Sequence, residues 1–207
     1  MASPSPKILR ISPSSLDAGR LDPALQALAR GELVVIPTET VYGLAAHPRI
    51  PAAMERMFDA KGRPREKPVT LMAASLDQVL RHGCTLNPAA RALAAKYWPG
   101  PLTLVLPLGD AMEGFRIPDH AVTLELLKKA GTVLAVTSAN ASGEPPATTA
   151  DDAVRALGSW VSVVIDSGPS PGGVPSTVVR VVGEKVEILR DGAIGSEEIF
   201  RVAGRQS

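Results

Sequence analysis

Cysteine is nearly absent: Cys84 stands alone among 207 residues, which excludes an internal disulfide and any multi-cysteine metal site. The three histidines, His47, His82 and His120, lie far apart and lack the i, i+4 spacing of helix-borne zinc ligands. Rings are scarce too, with three Phe, two Tyr and two Trp, too few for an RNA-recognition sheet that works by base stacking. No excess of either charge sign exists. Lys plus Arg number 22 against 21 Asp plus Glu, a net of +1, so no global field draws the molecule to nucleic acid or an anionic membrane. Any anion site must therefore be local. No apolar run nears the roughly 18 residues that a membrane helix needs, and residues 1–15 are Ser/Pro-rich without the apolar stretch of a secretory signal. The expected location is the cytoplasm, with no membrane partner. Also missing are a Walker G-x-x-x-x-G-K-[ST] loop, a G-x-G-x-x-G turn after a strand and a G-x-S-x-G elbow, so P-loop, dinucleotide-binding and serine-hydrolase chemistries lack their signatures.

What remains is a globular composition, 45% apolar and 21% charged, of a length that suits one core built from Ala, Val, Leu and Ile. Strand and helix patterns alternate along it. Asp22-Pro23 opens a helix that ends at Gly31, and Leu33 to Ile36 is a fully apolar run of the kind buried on both faces of a sheet. Further helices are expected over 51–60, 75–81, 88–97, 119–130 and 150–157, with a short one after Ser196. Strands are expected over 69–73, 102–108, 132–137 and 161–165, a short extended piece over 115–118, and a hairpin joining 176–182 to 186–190. No repeat and no interior linker interrupts the pattern. The expectation is a twisted α/β sheet with at least one antiparallel hairpin.

Two polar loops end buried strands, the position at which open α/β sheets usually hold ligands. One is Thr38-Glu39-Thr40-Val41-Tyr42-Gly43; the other is Ser138-Ala139-Asn140-Ala141-Ser142-Gly143, and the two are expected to face one crevice. Ser138 and Asn140, two residues apart, either point at one bound group or simply cap a turn. The densest basic cluster, Lys61-Gly62-Arg63-Pro64-Arg65-Glu66-Lys67, is stiffened by Pro64 and Pro68. A solvated surface loop is the bland reading of it. Polyphosphate binding is the functional one, because arginine grips phosphate bidentately while lysine adds a point charge.

Pro37-Thr38-Glu39-Thr40-Val41-Tyr42-Gly43-Leu44, Lys61-Gly62-Arg63-Pro64 with Lys67-Pro68, Trp98-Pro99-Gly100-Pro101-Leu102-Thr103, and Thr137-Ser138-Ala139-Asn140 together resemble, in order and spacing, the YrdC-like family of threonylcarbamoyladenylate synthases in its short, single-domain form. The resemblance covers about residues 7–203 as one synthase domain and leaves 1–6 and 204–207 as expected flexible tails. It implies a twisted mixed α/β sheet with flanking helices around a central cleft. It also implies a reaction that joins L-threonine, bicarbonate and ATP into threonylcarbamoyl-AMP and pyrophosphate, for the N6-threonylcarbamoyl modification of tRNA adenosine 37 by further proteins of that pathway. Mg²⁺ is the implied cofactor, riding on the phosphates, and direct tRNA binding is expected to be weak.

Carried over by position, Lys61 and Arg63 are the implied catalytic pair, and Lys61, Arg63, Lys67, Ser138, Asn140 and Arg190 the implied ATP contacts. Thr38, Thr40, Arg116 and Ser176 are the implied threonine contacts, Arg116 pairing with the α-carboxylate. No residue is implied as a metal ligand. Three features depart from the family pattern. Met72 stands where some longer members have a histidine and cannot donate a hydrogen bond. Pro175 occupies a position where an acidic residue is frequent. No general base is evident, since Glu39 reads more readily as a solvated loop carboxylate than as a proton acceptor. Two other readings stay open: a non-catalytic RNA-binding accessory protein, and a carbamoyl-adenylate-forming domain of a hydrogenase-maturation system. The single cysteine forbids the zinc fingers that usually accompany the latter.

Overall fold

Ten strands form one mixed sheet in the order β1-β8-β2-β3-β7-β4-β6-β5-β9-β10 in the computed structural model, which describes residues 5–204. Of the two expected tails, residues 1–4 and 205–207 lie outside the described residues. The strands are β1 Lys7–Arg10, β2 Leu33–Ile36, β3 Gly43–Ala46, β4 Thr70–Met72, β5 Leu102–Leu108, β6 Ala111–Arg116, β7 Leu134–Ser138, β8 Val161–Asp166, β9 Thr177–Val182 and β10 Lys185–Arg190. The helices are α1 Asp22–Ala29, α2 Pro51–Lys61, α3 Leu76–Arg81, α4 Pro88–Tyr97, α5 Ala121–Ala130, α6 Ala150–Leu157 and α7 Ser196–Val202. Their ends carry the expected chemistry. Asn87 and Ser75 cap α4 and α3, Thr149 and Asp152 close a capping box on α6, and Gly62 and Gly131 end α2 and α5 with φ of 55° and 68°. Among the described residues no helix is long and apolar enough to cross a membrane.

Two strands go beyond the expected elements. β1 sits in the Ser/Pro-rich start and is largely exposed; it forms because it pairs in parallel with β8, more than 150 residues away, a contact that local pattern does not register. β3 reads Gly-Leu-Ala-Ala, a poor strand sequence by propensity, and is held extended between β2 and β7, antiparallel to both. Gly43 is required there, since a Cβ at that position would lie 2.6 Å from Val136 Cγ1. The expected extended piece over 115–118 is the end of a longer strand, β6, which makes a hairpin with β5 across Gly109-Asp110.

The two faces of the sheet are covered unequally. On one face Leu71, Leu104, Phe115, Ala135 and Val179 pack with Met57 of α2, Leu93 of α4, Leu157 of α6 and Ile199 of α7. On the other, Val34, Ile36, Ala45, Leu134 and Val136 pack with Leu28 of α1 and Leu126 of α5, and this second cluster stops at Met72. Beyond Met72 the same face of β6, β5, β9 and β10 contributes to neither cluster. That half of the sheet is where the site lies.

The β10 to α7 connection is fixed by a close approach. A Cβ on Gly192 would come within 2.5 Å of the Pro175 carbonyl oxygen and of Thr177 N, backbone atoms that β5–β9 pairing holds in place. Gly192→Ala is therefore expected to destabilise the protein by about 3 kcal/mol, read as a lowered midpoint in urea unfolding. An unchanged midpoint would mean that this turn moves freely.

Candidate functional site

The uncovered half-face is the floor of a cavity of about 420 Å³, a size in the ordinary range for small-ligand sites. Because strand side chains alternate, the floor takes every second residue: Thr70 and Met72 from β4, Thr103 and Val105 from β5, Met112, Gly114 and Arg116 from β6, Val136 and Ser138 from β7, Val178 and Arg180 from β9. Their neighbours Leu71, Leu104, Phe115, Ala135 and Val179 are the core residues of the opposite face. Alternate residues of these strands thus serve the site on one face and the core on the other.

The two polar loops do meet. Gly43 pairs with Ser138 across β3 and β7, and Ala139 N–H donates to the Tyr42 carbonyl at 2.8 Å, so residues 38–42 and 138–143 leave the sheet side by side. The glycine-rich segment after β8 lies over the first of them. Gly172 N–H donates to the Glu39 carbonyl (2.9 Å) and Gly173 N–H to the Thr40 carbonyl (2.8 Å); a Cβ on Gly172 would sit 2.7 Å from the Glu39 oxygen. The basic segment 62–69 carries the chain from the end of α2 into β4 and brings Arg63 to the wall.

Of the residues singled out from sequence, Thr38, Arg63, Arg116, Ser138, Ser176 and Arg190 line the cavity. Thr40 stands behind the wall, its hydroxyl within 2.9 Å of Thr38 Oγ1 and accepting from Arg116 Nη2 at 2.9 Å. Lys61 and Asn140 also stand behind it. Lys61 is 3% exposed, and its Nζ donates to the Ser138 and Asn140 carbonyls, both at 2.5 Å. Asn140 Nδ2 donates to the Ala141 and Glu144 carbonyls. These two residues brace the second loop against the end of α2, a bond network that sequence spacing does not reveal. Lys67 is exposed and off the wall, and Arg65 pairs with Glu55 and Asp59 of α2.

Glu39 corrects the sequence reading: its side chain is 15% exposed and is not a solvated loop carboxylate. Oε1 accepts from Arg116 Nη2 at 2.7 Å in an ion pair whose arginine is 5% exposed, and Oε2 is buried without a partner among the described residues. Arg116 Nε donates to the carbonyl of Gly100, within the Trp98-Pro99-Gly100-Pro101 segment, and Gly100 N–H returns to the Ile117 carbonyl. The guanidinium is thus fixed on two sides, with Nη1 free of hydrogen bonds among the described residues. Arg190 Nε and Nη2 donate to the Ser176 carbonyl (3.2 and 2.7 Å), and the Ser176 hydroxyl lies 2.9 Å from that of Thr103. Of the wall residues missed from sequence, Gly114 and Arg180 carry one usable signal: they fall in step with Arg116 and Ser176 on the alternation of β6 and β9, whereas Thr103 on β5 has no such neighbour.

The field of the site is positive, and its cations are partly desolvated. Burial lowers the Arg63 pKa; burial and then the neighbouring Arg116 and Arg63 lower that of Arg190. Like charges gathered on one cavity wall, with no acidic side chain among them, mark an anion site. Burial, with a smaller contribution from Arg63, pulls Lys61 down to about 8. Between that value and the ordinary 10.5 the unfolded chain keeps a proton that the folded protein has released, so this group makes stability rise with pH across the window. In Lys61→Met that contribution is expected to vanish from the pH dependence of unfolding; an identical pH profile for both proteins would show that Lys61 titrates normally.

The Sua5/YciO/YrdC family model, described as "Telomere recombination", matches residues 26–192. A Mycobacterium tuberculosis relative is 38% identical over 191 residues, 87% of this chain and 88% of its own length. The threonylcarbamoyl-AMP synthase of Bacillus subtilis is 35% identical over 87% of this chain, which spans 56% of that protein. The crystal structure of Pyrococcus abyssi Sua5 complexed with L-threonine superposes with a TM-score of 0.90 at 33% identity, covering 96% of this chain and 61% of that one. All of the cavity wall, from Thr38 to Arg190, lies inside the matched span, and the chain belongs to the Sua5/YciO/YrdC family.

Proposed function

We propose that this protein is an L-threonylcarbamoyladenylate synthase, a nucleotidyltransferase that converts L-threonine, bicarbonate and ATP to threonylcarbamoyl-AMP and pyrophosphate. The observation that carries the proposal is the convergence of Arg63, Arg116 and Arg190 with the hydroxyls of Thr38, Ser138 and Ser176 on one cavity, in a chain whose relatives include the threonylcarbamoyl-AMP synthase of B. subtilis. The threonine ammonium gives up one proton to solvent, and the resulting amine joins bicarbonate as a carbamate with loss of one water. A carbamate oxygen then bonds to the α-phosphorus as the bond to pyrophosphate breaks. Carbamates decompose in water, so a walled cavity that holds three reactants together supplies proximity and desolvation where no covalent nucleophile is needed.

In this reading Arg116 takes the threonine carboxylate through its free Nη1, with Thr38, Thr40 and Ser176 around it. Arg63 and Arg190, with Ser138, hold the triphosphate and offset charge gathering on the leaving group. Lys61 and Asn140 hold the loop that presents Ser138, and Lys67 approaches the phosphates from outside the wall. No carboxylate belongs to the described wall, so Mg²⁺ would bind through nucleotide phosphates and water, where it neutralises phosphate charge. The product would pass to the proteins that complete tRNA threonylcarbamoylation. An RNA-binding role without catalysis fits less well, because Tyr42 is the one ring on the described wall.

The test is incubation of the purified protein with ATP, Mg²⁺, L-threonine and labelled bicarbonate. A labelled adenylate, with pyrophosphate release that needs both threonine and bicarbonate, is the expected result. RNA affinity without that turnover would overturn the proposal.

A further inference from the structure

Four arginines line the cavity, and one of them, Arg180, has no part in the reaction described above. Its guanidinium is held by Glu187, directly opposite on β10, whose Oε2 accepts from Arg180 Nη2 at 2.6 Å. The same oxygen lies 3.8 Å from Lys185 Nζ. The pair is half-exposed, at 42% for the Arg180 side chain and 35% for that of Glu187, and solvent-screened pairs contribute little net stability. Glu187 also has a second cation within reach on its own strand. Arg180 can thus leave its carboxylate without stranding a buried charge.

Position separates Arg180 from the other three. It lies four residues beyond Ser176, about 13 Å at strand rise, beside Val105 in the β5–β9 register, with Gly114 next in the same row. Arg116 and Arg63 both lie close enough to Arg190 to lower its pKa. The charge balance leaves work for a fourth cation. Glu39 neutralises Arg116 and Glu187 neutralises Arg180, so Arg63 and Arg190 alone face the phosphates without an acidic partner in contact.

We propose that Arg180 is a polyphosphate-binding residue held in reserve: the terminal phosphates of ATP, or the pyrophosphate leaving the cavity, displace Glu187 from Arg180, and Glu187 turns to Lys185. This inference rests on the synthase reading and adds to it a residue that meets the leaving group. It assigns Glu187 an inhibitory share in anion binding, since it competes with phosphate for one guanidinium.

The test measures direct binding of ATP, pyrophosphate and AMP to the wild-type protein, Arg180→Gln, Glu187→Gln and the double variant, with labelled-adenylate formation followed in parallel. Arg180→Gln is expected to weaken ATP and pyrophosphate binding about fivefold and to leave AMP unchanged. Glu187→Gln should tighten pyrophosphate binding two- to threefold, about the weight of a screened surface pair, and have no effect once Arg180 is gone. Equal losses for AMP and pyrophosphate would place Arg180 under the nucleoside and overturn the proposal, as would unchanged pyrophosphate affinity in Arg180→Gln. If wild type binds ATP and forms the adenylate while the variants behave identically, the synthase reading stands and the Arg180 inference falls; if wild type does neither, both fall.

Discussion

Arg63→Ala is expected to reduce adenylate formation on the order of 10³-fold, the loss that follows removal of one preorganised group at a site of developing charge. The guanidinium lines the cavity, its Nη2 donates to the Pro68 carbonyl at 2.9 Å, and Nε is buried without a partner among the described residues. A buried donor in that condition carries a desolvation cost that an incoming anion would remove. The side chain contributes nothing to either apolar cluster. The unfolding midpoint of the variant should therefore stay close to that of wild type, which separates loss of function from loss of fold. Arg63→Lys should recover only part of the activity, because an ammonium cannot make the planar two-bond contact. Undiminished turnover in Arg63→Ala would remove Arg63 from the reaction.

Arg116→Ala is expected to act twice. It should raise the KM for threonine by about 10²-fold, the loss of a buried charge-assisted contact, while the KM for ATP changes far less. It should also destabilise the fold by about 3–5 kcal/mol, because it leaves the Glu39 carboxylate buried without its cation. The double variant Arg116→Ala, Glu39→Gln distinguishes the two effects. Without a buried charge to strand, most of the stability should return, and the threonine KM should remain high. Recovery of the KM in the double variant would mean that Arg116 serves the fold only and that threonine's carboxylate binds elsewhere. Glu39→Gln alone should keep the arginine in place less firmly, so that the threonine KM rises modestly and kcat changes little.

The elements that local pattern specifies strongly were legible. The apolar run Leu33–Ile36, the capped helices after Asn87 and Ser75, and the hairpin around Gly183-Glu184 all appear where residue order alone puts them. Strands β1 and β3 were not, because one draws its stability from a partner about 150 residues away and the other is a Gly/Ala stretch kept extended by neighbours on both sides. The site divides the same way. Arg63 and Ser138 stand in recognisable motifs, Arg116 and Arg190 were implied by the family resemblance, and each reaches the wall. The partnership of Arg116 with Glu39 joins residues 77 positions apart, and the engagement of Lys61 with the second loop is a matter of side-chain direction at the end of α2.

The residues themselves determined the chemistry on offer: cations, hydroxyls, few rings, no cysteine or histidine cluster, and the alternation that lets β6 and β9 put different residues on their two sides. Tertiary structure alone decided which cations face the cavity and which brace it. Charge identity is a property of a residue, whereas exposure, partnership and field arise only when separate strands come into register. The same reason makes Glu39 a buried counter-ion and leaves one half of one sheet face uncovered, with β6, β5 and β9 as its floor.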